Sequence, residues 1–489
     1  MFLGIDLGTS KVKALIVGDD GAVVHEASAP LALSRPQPQW SEQDPRDWWT
    51  ATIAAVRALP DAARRSVRGI GLAGQMHGAV LLDAYQDVLR PAILWNDGRS
   101  AAACAIFERR APRSRDISGN LAMPGFTAPK IVWVAEHEPD VFARIAKVLL
   151  PKDWLRLALT GECASEPSDA SGTLWLDLAS GEWSRELLGA SGLTVDAMPR
   201  LVRSAGIAGR VSRSAADAIG VAAGIAVAGG GSDNACGAAG VGVVDEGDAL
   251  LSLGTSGVIF VADDRPRPDP AQAVHAFCHC VEGRWHRMAV MLACASTLDA
   301  AARIAGVPDV AALVAEAENA RFVDATRLVM LPYLEGERTP HNDAAACGVI
   351  FGLDGATTRA DVARAALEGV AFALADGLAA LEAGGPRIDG LAVIGGGARS
   401  AAWGRMIAAA LQRRLVFPRH GENGPALGAA RLARMAVDGI DAAQALVKPG
   451  IAHTIEPDAA LASQLSRRRE VFRALYRDLA PRFAATARA

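Results

Sequence analysis

Two aspartates stand beside glycine-rich turns, where the lack of a Cβ lets a ligand approach the backbone. Asp6 ends an apolar stretch just before Gly8-Thr9-Ser10, and the nearest cations, Lys11 and Lys13, lie beyond the turn. Its carboxylate should therefore point where phosphate oxygens would gather, and a divalent ion would relieve the repulsion. Hard oxygen ligands of this kind suit Mg2+ with a nucleotide. A plain capping aspartate on the turn is the alternative. Asp233 follows Gly229-Gly230-Gly231-Ser232 and precedes Asn234-Ala235-Cys236-Gly237, which places it at a helix N-terminus. There a carboxylate either caps the helix or accepts a proton from a substrate hydroxyl.

The turn after Asp6 has a second copy. Leu7-Gly8-Thr9-Ser10 recurs as Leu253-Gly254-Thr255-Ser256, roughly half a chain later. Each copy is flanked by apolar residues and followed by an acidic turn, Asp19-Asp20-Gly21 or Asp263-Asp264. The pattern predicts a strand, a tight turn and a strand in both places, and hence two similar domains in tandem. Facing one another, two such turns could clasp a chain of phosphates with backbone N–H groups and hydroxyls; singly, each reads as a plain hairpin. Neither matches a Walker loop. A third glycine turn, Gly395-Gly396-Gly397-Ala398-Arg399-Ser400, and a similar one at 421–428 have the strand-to-helix form that seats a phosphate or a flat base.

The elements that must carry these turns alternate. Short apolar strands are expected at 67–72, 148–150, 225–228 and 391–394, with helices at 45–59, 359–380 and Ala401–Leu411, the second opened by Thr358 as a cap. This is α/β patterning in both halves. A flexible joint is expected near 240–250, where a Gly/Ala run gives way to Asp245-Glu246-Gly247-Asp248. Residues 459–488 read as an amphipathic helix whose run Arg467-Arg468-Arg469 is a solvated face. His275, Cys278, His279, Cys280 and His286 have the composition of a metal cluster. Strand alternation sets Cys278 and Cys280 opposite His279, so structural zinc is not expected.

Composition excludes some classes. The 489 residues carry a formal charge of -4, with 51% hydrophobic and 21% charged residues. That is an ordinary globular balance without a broad basic surface, so neither nucleic acid nor a membrane is an expected partner. Seven scattered cysteines form no framework, which points to a reducing, cytoplasmic setting. Met1-Phe2-Leu3-Gly4-Ile5-Asp6 meets an acid at once and lacks a signal-peptide core, so the mature chain is expected to start at Met1. Residues 219–244 are mostly Gly and Ala around Asp233 and Asn234, and read as packed backbone of a soluble protein.

Taken in order, several segments resemble the FGGY family of carbohydrate kinases. They are Gly4 to Ser10, Gly74-Gln75-Met76-His77-Gly78, Leu94-Trp95-Asn96-Asp97-Gly98-Arg99, the stretch 125–133, and Gly348-Val349-Ile350-Phe351-Gly352 leading to Ala365-Ala366-Leu367-Glu368-Gly369. The resemblance runs essentially end to end. It implies an α/β fold of two ribonuclease H-like, actin-like ATPase domains around a central cleft. Residues 1–245 would form the sugar-binding side and 246–489 the ATP-binding side. It further implies ATP-dependent phosphorylation of a sugar, D-xylulose at its 5-hydroxyl, with Mg2+ as the accompanying ion. Asp233 would be the base, and Asp6 would hold Mg2+ and phosphates. Met76, His77 and Asn234 would contact the sugar beside Asp233. Gly8, Thr9, Ser10, Gly254, Thr255, Ser256, Gly396, Gly397, Ala398 and Ser400 would bind the nucleotide.

Relatives acting on glycerol carry Arg-Glu where this chain has Met76-His77, and Lys11 departs from the small residue often found there. Two rival readings stay open. One is a kinase of another ketose or polyol; the other is a nonenzymatic, actin-like ATP switch that would need the nucleotide loops but no base. A homodimer is also left open.

Overall fold

The computed structural model describes residues 1–319 and 327–486. In the N-terminal half β1 (Phe2–Leu7), β2 (Lys11–Val17) and β3 (Val23–Pro30) form an antiparallel meander. β4 (Gly69–Gly74) lies parallel to β1 on its other side. Next come β5 (Ile207–Arg210), β6 (Ala226–Ala228) and the two-residue β7 (Gly231–Ser232), giving the order β5-β6-β4-β1-β2-β3 with β7 paired to the end of β4. The C-terminal half repeats the plan. β8 (Ala249–Leu253), β9 (Gly257–Asp263), β10 (His275–Cys278), β11 (Trp285–Met291), β12 (Gly390–Ile394), β13 (Arg414–Pro418) and β14 (Ile451–Ile455) lie in the order β10-β11-β9-β8-β12-β13-β14. The meander β1-β2-β3 with parallel β4 and β6 thus has its counterpart in β8-β9-β11 with parallel β12 and β13. The duplicated Leu-Gly-Thr-Ser tetrad sits at the equivalent hairpin of each sheet.

The strands are central because they are apolar on both faces. Phe2, Leu3, Ile5 and Leu7 are fully buried, as expected where helices cover both sides of a sheet. The helices that matter for the site are α1 (Pro45–Arg57), α2 (Thr127–His137), α3 (Pro151–Thr160), α4 (Asp233–Gly240), α5 (Arg359–Ala383), α6 (Ala401–Leu411), α7 (Gly424–Asp438) and α8 (Ala459–Thr486). The 359–380 expectation lengthens to Ala383, and Thr358 does cap it, in a capping box with Asp361.

α4 and α7 join the halves. α7 comes from the C-terminal half, yet it rests on β1 and β4: a Cβ on Gly4 would stand 1.9 Å from the Ala426 carbonyl oxygen, and one on Gly71 would stand 1.8 Å from that of Ala429. α4 leaves the N-terminal half, and its Ala238 packs in one apolar cluster with Leu250, Phe260 and Ile394 of the second sheet. Where the two helices cross, a Cβ on Gly428 would lie 1.9 Å from the Cys236 oxygen. Glycine is therefore required by close approach of backbone to backbone. Each half lends the other a helix, and Asp233 opens one of the pair.

Two expectations change. The segment Asp245 to Asp248 is not a loose joint: Gly247 N–H donates to Ala262 O at 3.0 Å, and Lys448 pairs with Asp248 at 2.7 Å. The arginine run on α8 is not a solvated face either. Arg468 pairs with Glu368 at 2.6 Å and Arg469 with Asp376 at 2.6 Å, both acids on α5; Arg467 alone is exposed. The helical period carries two of the three arginines onto α5, whose buried acids could not be located from the run itself.

Candidate active site

Register brings the chemistry together. Gly74, the last residue of β4, lies opposite Leu7 of β1 and Ser232 of β7. Asp6, the loop Gln75-Met76-His77 and Asp233 therefore emerge at one edge, the carboxyl ends of parallel strands, where α/β sheets bind ligands. A cavity of about 170 Å³ opens there. Met76, His77, Asp233 and Asn234 line it from the N-terminal half, and Ser252, Gly254, Ser256, His275 and Arg338 from the C-terminal half.

The helix cap at this edge is Ser232, whose side chain accepts from Ala235 N–H at 3.3 Å. Asp233 is the first helical residue. Its Oδ1 accepts from the Asn234 backbone N–H at 2.7 Å and from Asn234 Nδ2 at 2.9 Å. Oδ2 makes no hydrogen bond among the described residues. Burial raises the Asp233 carboxyl to about 7, the negative charge of Asp6 adds to the rise, and the Asn234 hydrogen bonds oppose it. Asp6 is raised to about 6 by burial, with Lys13 and Lys11 pulling it down. Its Oδ1 is buried without a hydrogen-bond partner, so it does not serve as a cap for the turn.

His77 is held by its surroundings. Its backbone adopts φ +67°, and its carbonyl accepts from Thr127 Oγ1 at 3.1 Å and from buried Lys130 Nζ at 2.8 Å. Nδ1 lies 2.6 Å from the Gly172 carbonyl and must donate to it, which leaves Nε2 as an acceptor. Burial keeps the imidazole well below its ordinary pKa and so neutral. Asn234 reaches back to Met76, Nδ2 to Sδ at 4.0 Å.

The hydroxyls of the expected nucleotide loops are partly engaged elsewhere. Thr9 Oγ1 donates to Gln75 Oε1 at 2.9 Å and accepts from Trp95 Nε1 at 2.9 Å, tying its turn to the His77 loop. Ser10 and Thr255 are exposed, and Gly254 and Ser256 border the cavity. Gly8 N–H donates across its turn to Lys11 O at 3.1 Å. At the third turn Gly395 has φ +92° and Gly397 packs against Leu253 at the end of β8. Gly396 is open, Ala398 lies in the single 3-10 turn Gly396–Arg399, and Ser400 caps α6 by accepting from Trp403 N–H at 3.2 Å. Gly395 and Gly397 approach Leu253 at the end of β8, and none of the residues 395–400 lines the cavity itself.

Sequence reasoning assigned no site role to Trp95, His275 or Arg338. Trp95 lies in a motif explained by its neighbours: Asp97 accepts from Ser41 N–H at 2.6 Å and pairs with buried Arg99 at 2.6 Å. His275 belongs in the sequence to a run of metal-ligand residue types, whereas in the structure its ring stacks on Phe277 beside the cavity. Arg338 had one signal: it is the single arginine or lysine among the acids Glu335, Glu337 and Asp343.

The N-terminal domain model of the FGGY family of carbohydrate kinases matches residues 1–240, and its C-terminal domain model matches residues 249–437. The chain belongs to this family. As an FGGY kinase it is an ATP-dependent carbohydrate kinase with the two-domain, actin-like fold. It is 50% identical over 483 residues to the xylulose kinase of Escherichia coli strain K12, covering 98% of this chain and 99% of that one. The xylulose kinase of Bacillus subtilis strain 168 is 39% identical, with 88% and 87% covered. The crystal structure of a "xyloylose kinase" from Brucella ovis superposes on this kinase with a TM-score of 0.92 at 46% identity, covering 98% and 99%. No helix among the described residues is long and apolar enough to cross a membrane.

The acids of this kinase fit a divalent cation. A buried, unpartnered carboxylate oxygen on Asp6 beside a second raised acid is the donor set that such an ion satisfies. No three His, Cys, Asp or Glu among the described residues converge as a cage. Mg2+ would therefore draw its remaining ligands from water and nucleotide oxygens.

Proposed function

We propose that this kinase transfers the terminal phosphoryl group of ATP to the 5-hydroxyl of D-xylulose, giving D-xylulose 5-phosphate and ADP. The single observation that carries the catalytic part is the division of labour at α4. Ser232 takes the cap and Asn234 occupies Oδ1, so Asp233, which lines the cavity, keeps Oδ2 for a ligand. The named activities of the 50% and 39% identical relatives support the choice of sugar.

In this reading Asp233 accepts a hydrogen bond from the sugar's 5-hydroxyl and collects its proton late, because phosphoryl transfer proceeds through a loose transition state in which positioning and charge neutralisation supply most of the acceleration. Asn234 holds the Asp233 carboxylate in place through Oδ1. Neutral His77 accepts from a sugar hydroxyl at Nε2. The hairpin turns Gly8-Thr9-Ser10 and Gly254-Thr255-Ser256 and the turn 396–400 lie toward the phosphates and base of ATP. Asp6 would hold Mg2+, which supplies charge neutralisation on the phosphates when bound. The sugar side belongs to residues 1–245, the nucleotide side to 246–489, and closure of the halves shuts out water as a competing acceptor. A reducing cytoplasm is the proposed setting, in keeping with seven free thiols.

The test is a panel of pentuloses, hexuloses and polyols in a coupled ADP-release assay with Mg2+ and ATP. D-xylulose should give the highest kcat/KM. A different preferred sugar would replace the substrate, and ADP release indifferent to every sugar would replace the kinase reading with an ATP switch.

A further inference from the structure

Arg338 is a half-buried cation at the mouth of the site. It forms no salt bridge within 4.0 Å among the described residues, and it lines the same cavity as Asp233. Its acidic neighbour Glu337 is engaged by backbone: Oε1 accepts from Leu292 N–H at 3.0 Å and from the Arg338 backbone N–H at 2.8 Å. The guanidinium instead crosses the cleft. It donates to the Trp95 carbonyl at 3.2 Å and lies 6.0 Å from the Trp95 ring centroid. Gly125 makes room for it, since a Cβ there would lie 2.4 Å from one of its nitrogens.

A guanidinium has five donor hydrogens in a fixed fork and no acceptor. One contact is made to Trp95, and the group borders the cavity. A half-buried charge with most of its donors unused is well placed to take acceptor oxygens of a ligand. The opposite wall offers an acid, Asp233, which can only take a hydroxyl proton in the ionised form, and a neutral His77 acceptor. A cavity with acceptors on one wall and a donor fork on the other suits an uncharged polyoxygenated ligand that offers both. The positive charge also helps hold His77 and His275 neutral.

We propose that Arg338 is a sugar-binding residue contributed by the C-terminal half, donating from its guanidinium to acceptor oxygens of the ketose while it ties the two halves together through Trp95. The inference rests on the reading of this cavity as the sugar site. It changes that reading in one respect: sugar is gripped by both halves rather than by residues 1–245 alone.

Steady-state kinetics of the full-length wild type, Arg338→Met and Arg338→Lys, with D-xylulose and Mg2+·ATP, test it beside thermal unfolding of each protein. Loss of charged hydrogen bonds to the sugar should raise the sugar KM of Arg338→Met by about ten- to a hundredfold. The ATP KM should change by no more than about twofold, and Arg338→Lys should recover part of the sugar affinity. A residue that only braces Trp95 would lower kcat or the melting temperature with the sugar KM unchanged, and that result overturns the proposal. Should Arg338→Met fail to fold, an unaltered sugar KM in Arg338→Lys, which lacks the fork, overturns it equally. Failure of the substrate reading shows separately, as a wild type that does not turn over D-xylulose; the comparison is then made with the ketose that the panel identifies.

Discussion

Asp233 and Asp6 stand on either side of β4 at the carboxyl edge of the first sheet, and the charge on Asp6 is the second cause, after burial, that lifts the Asp233 carboxyl to about 7. Two acids so placed in a low-dielectric cleft cannot both ionise without cost. The Asp233 carboxyl is thus poised between its two forms near neutral pH, and positive charge beside Asp6 would favour the ionised one.

That electrostatic strain has a measurable sign. The folded-state pKa of Asp233, about 7, lies above its ordinary value of 3.8. The folded protein therefore binds the proton more tightly, and this favourable contribution is present at low pH and lost as pH rises from about 4 to about 7. In metal-free protein the melting temperature of Asp233→Asn, relative to wild type, should be higher at pH 8 than at pH 5. Thermal unfolding at the two pH values in EDTA checks this; an equal difference at both would mean that Asp233 is not strained.

Removing the Asp233 carboxylate should be felt in turnover. Asp233→Asn should lower kcat by about 10²- to 10⁴-fold, the usual worth of a positioned general base, while calorimetry shows ATP binding largely intact. Near-normal turnover in the coupled assay would strip Asp233 of that role.

His77 has a different expected signature, since its Nδ1 is committed to Gly172 and only Nε2 is free to meet a ligand. His77→Ala should raise the sugar KM more than it lowers kcat. An unchanged KM would make it a wall of the core, where it packs edge-on against Phe126 at 4.7 Å.

The crossing of α4 and α7 leaves no space for a methyl group. Gly428→Ala would drive a Cβ to 1.9 Å from the Cys236 oxygen, and an overpacked site of this kind costs about 1–3 kcal/mol. Denaturant unfolding should show that loss, whereas full stability would mean that the helices separate at little cost.

Much of the fold was legible because the two hairpin turns repeat a tetrad, and local chemistry dictates a tight turn wherever glycine follows an apolar strand. Ala401–Leu411 emerged with the expected limits for a similar reason, its serine cap and helical period being local. What could not be read was contact across the cleft. The swap of α4 and α7 between sheets, the pairing of Arg468 with Glu368, and the reach of Arg338 to Trp95 each join residues far apart in sequence, and no local propensity encodes them. Asp233 lay between: its position at a helix start was visible, but only the geometry of Ser232 decided which of the two residues caps.

The most direct measurement is a crystal structure of the wild-type kinase with D-xylulose and a non-hydrolysable ATP analogue. Asp233 Oδ2 should lie about 2.6–3.2 Å from the 5-hydroxyl oxygen, on the side opposite the terminal phosphoryl group. A carboxylate turned away from the sugar, with both oxygens bonded to its own helix, would contradict the account.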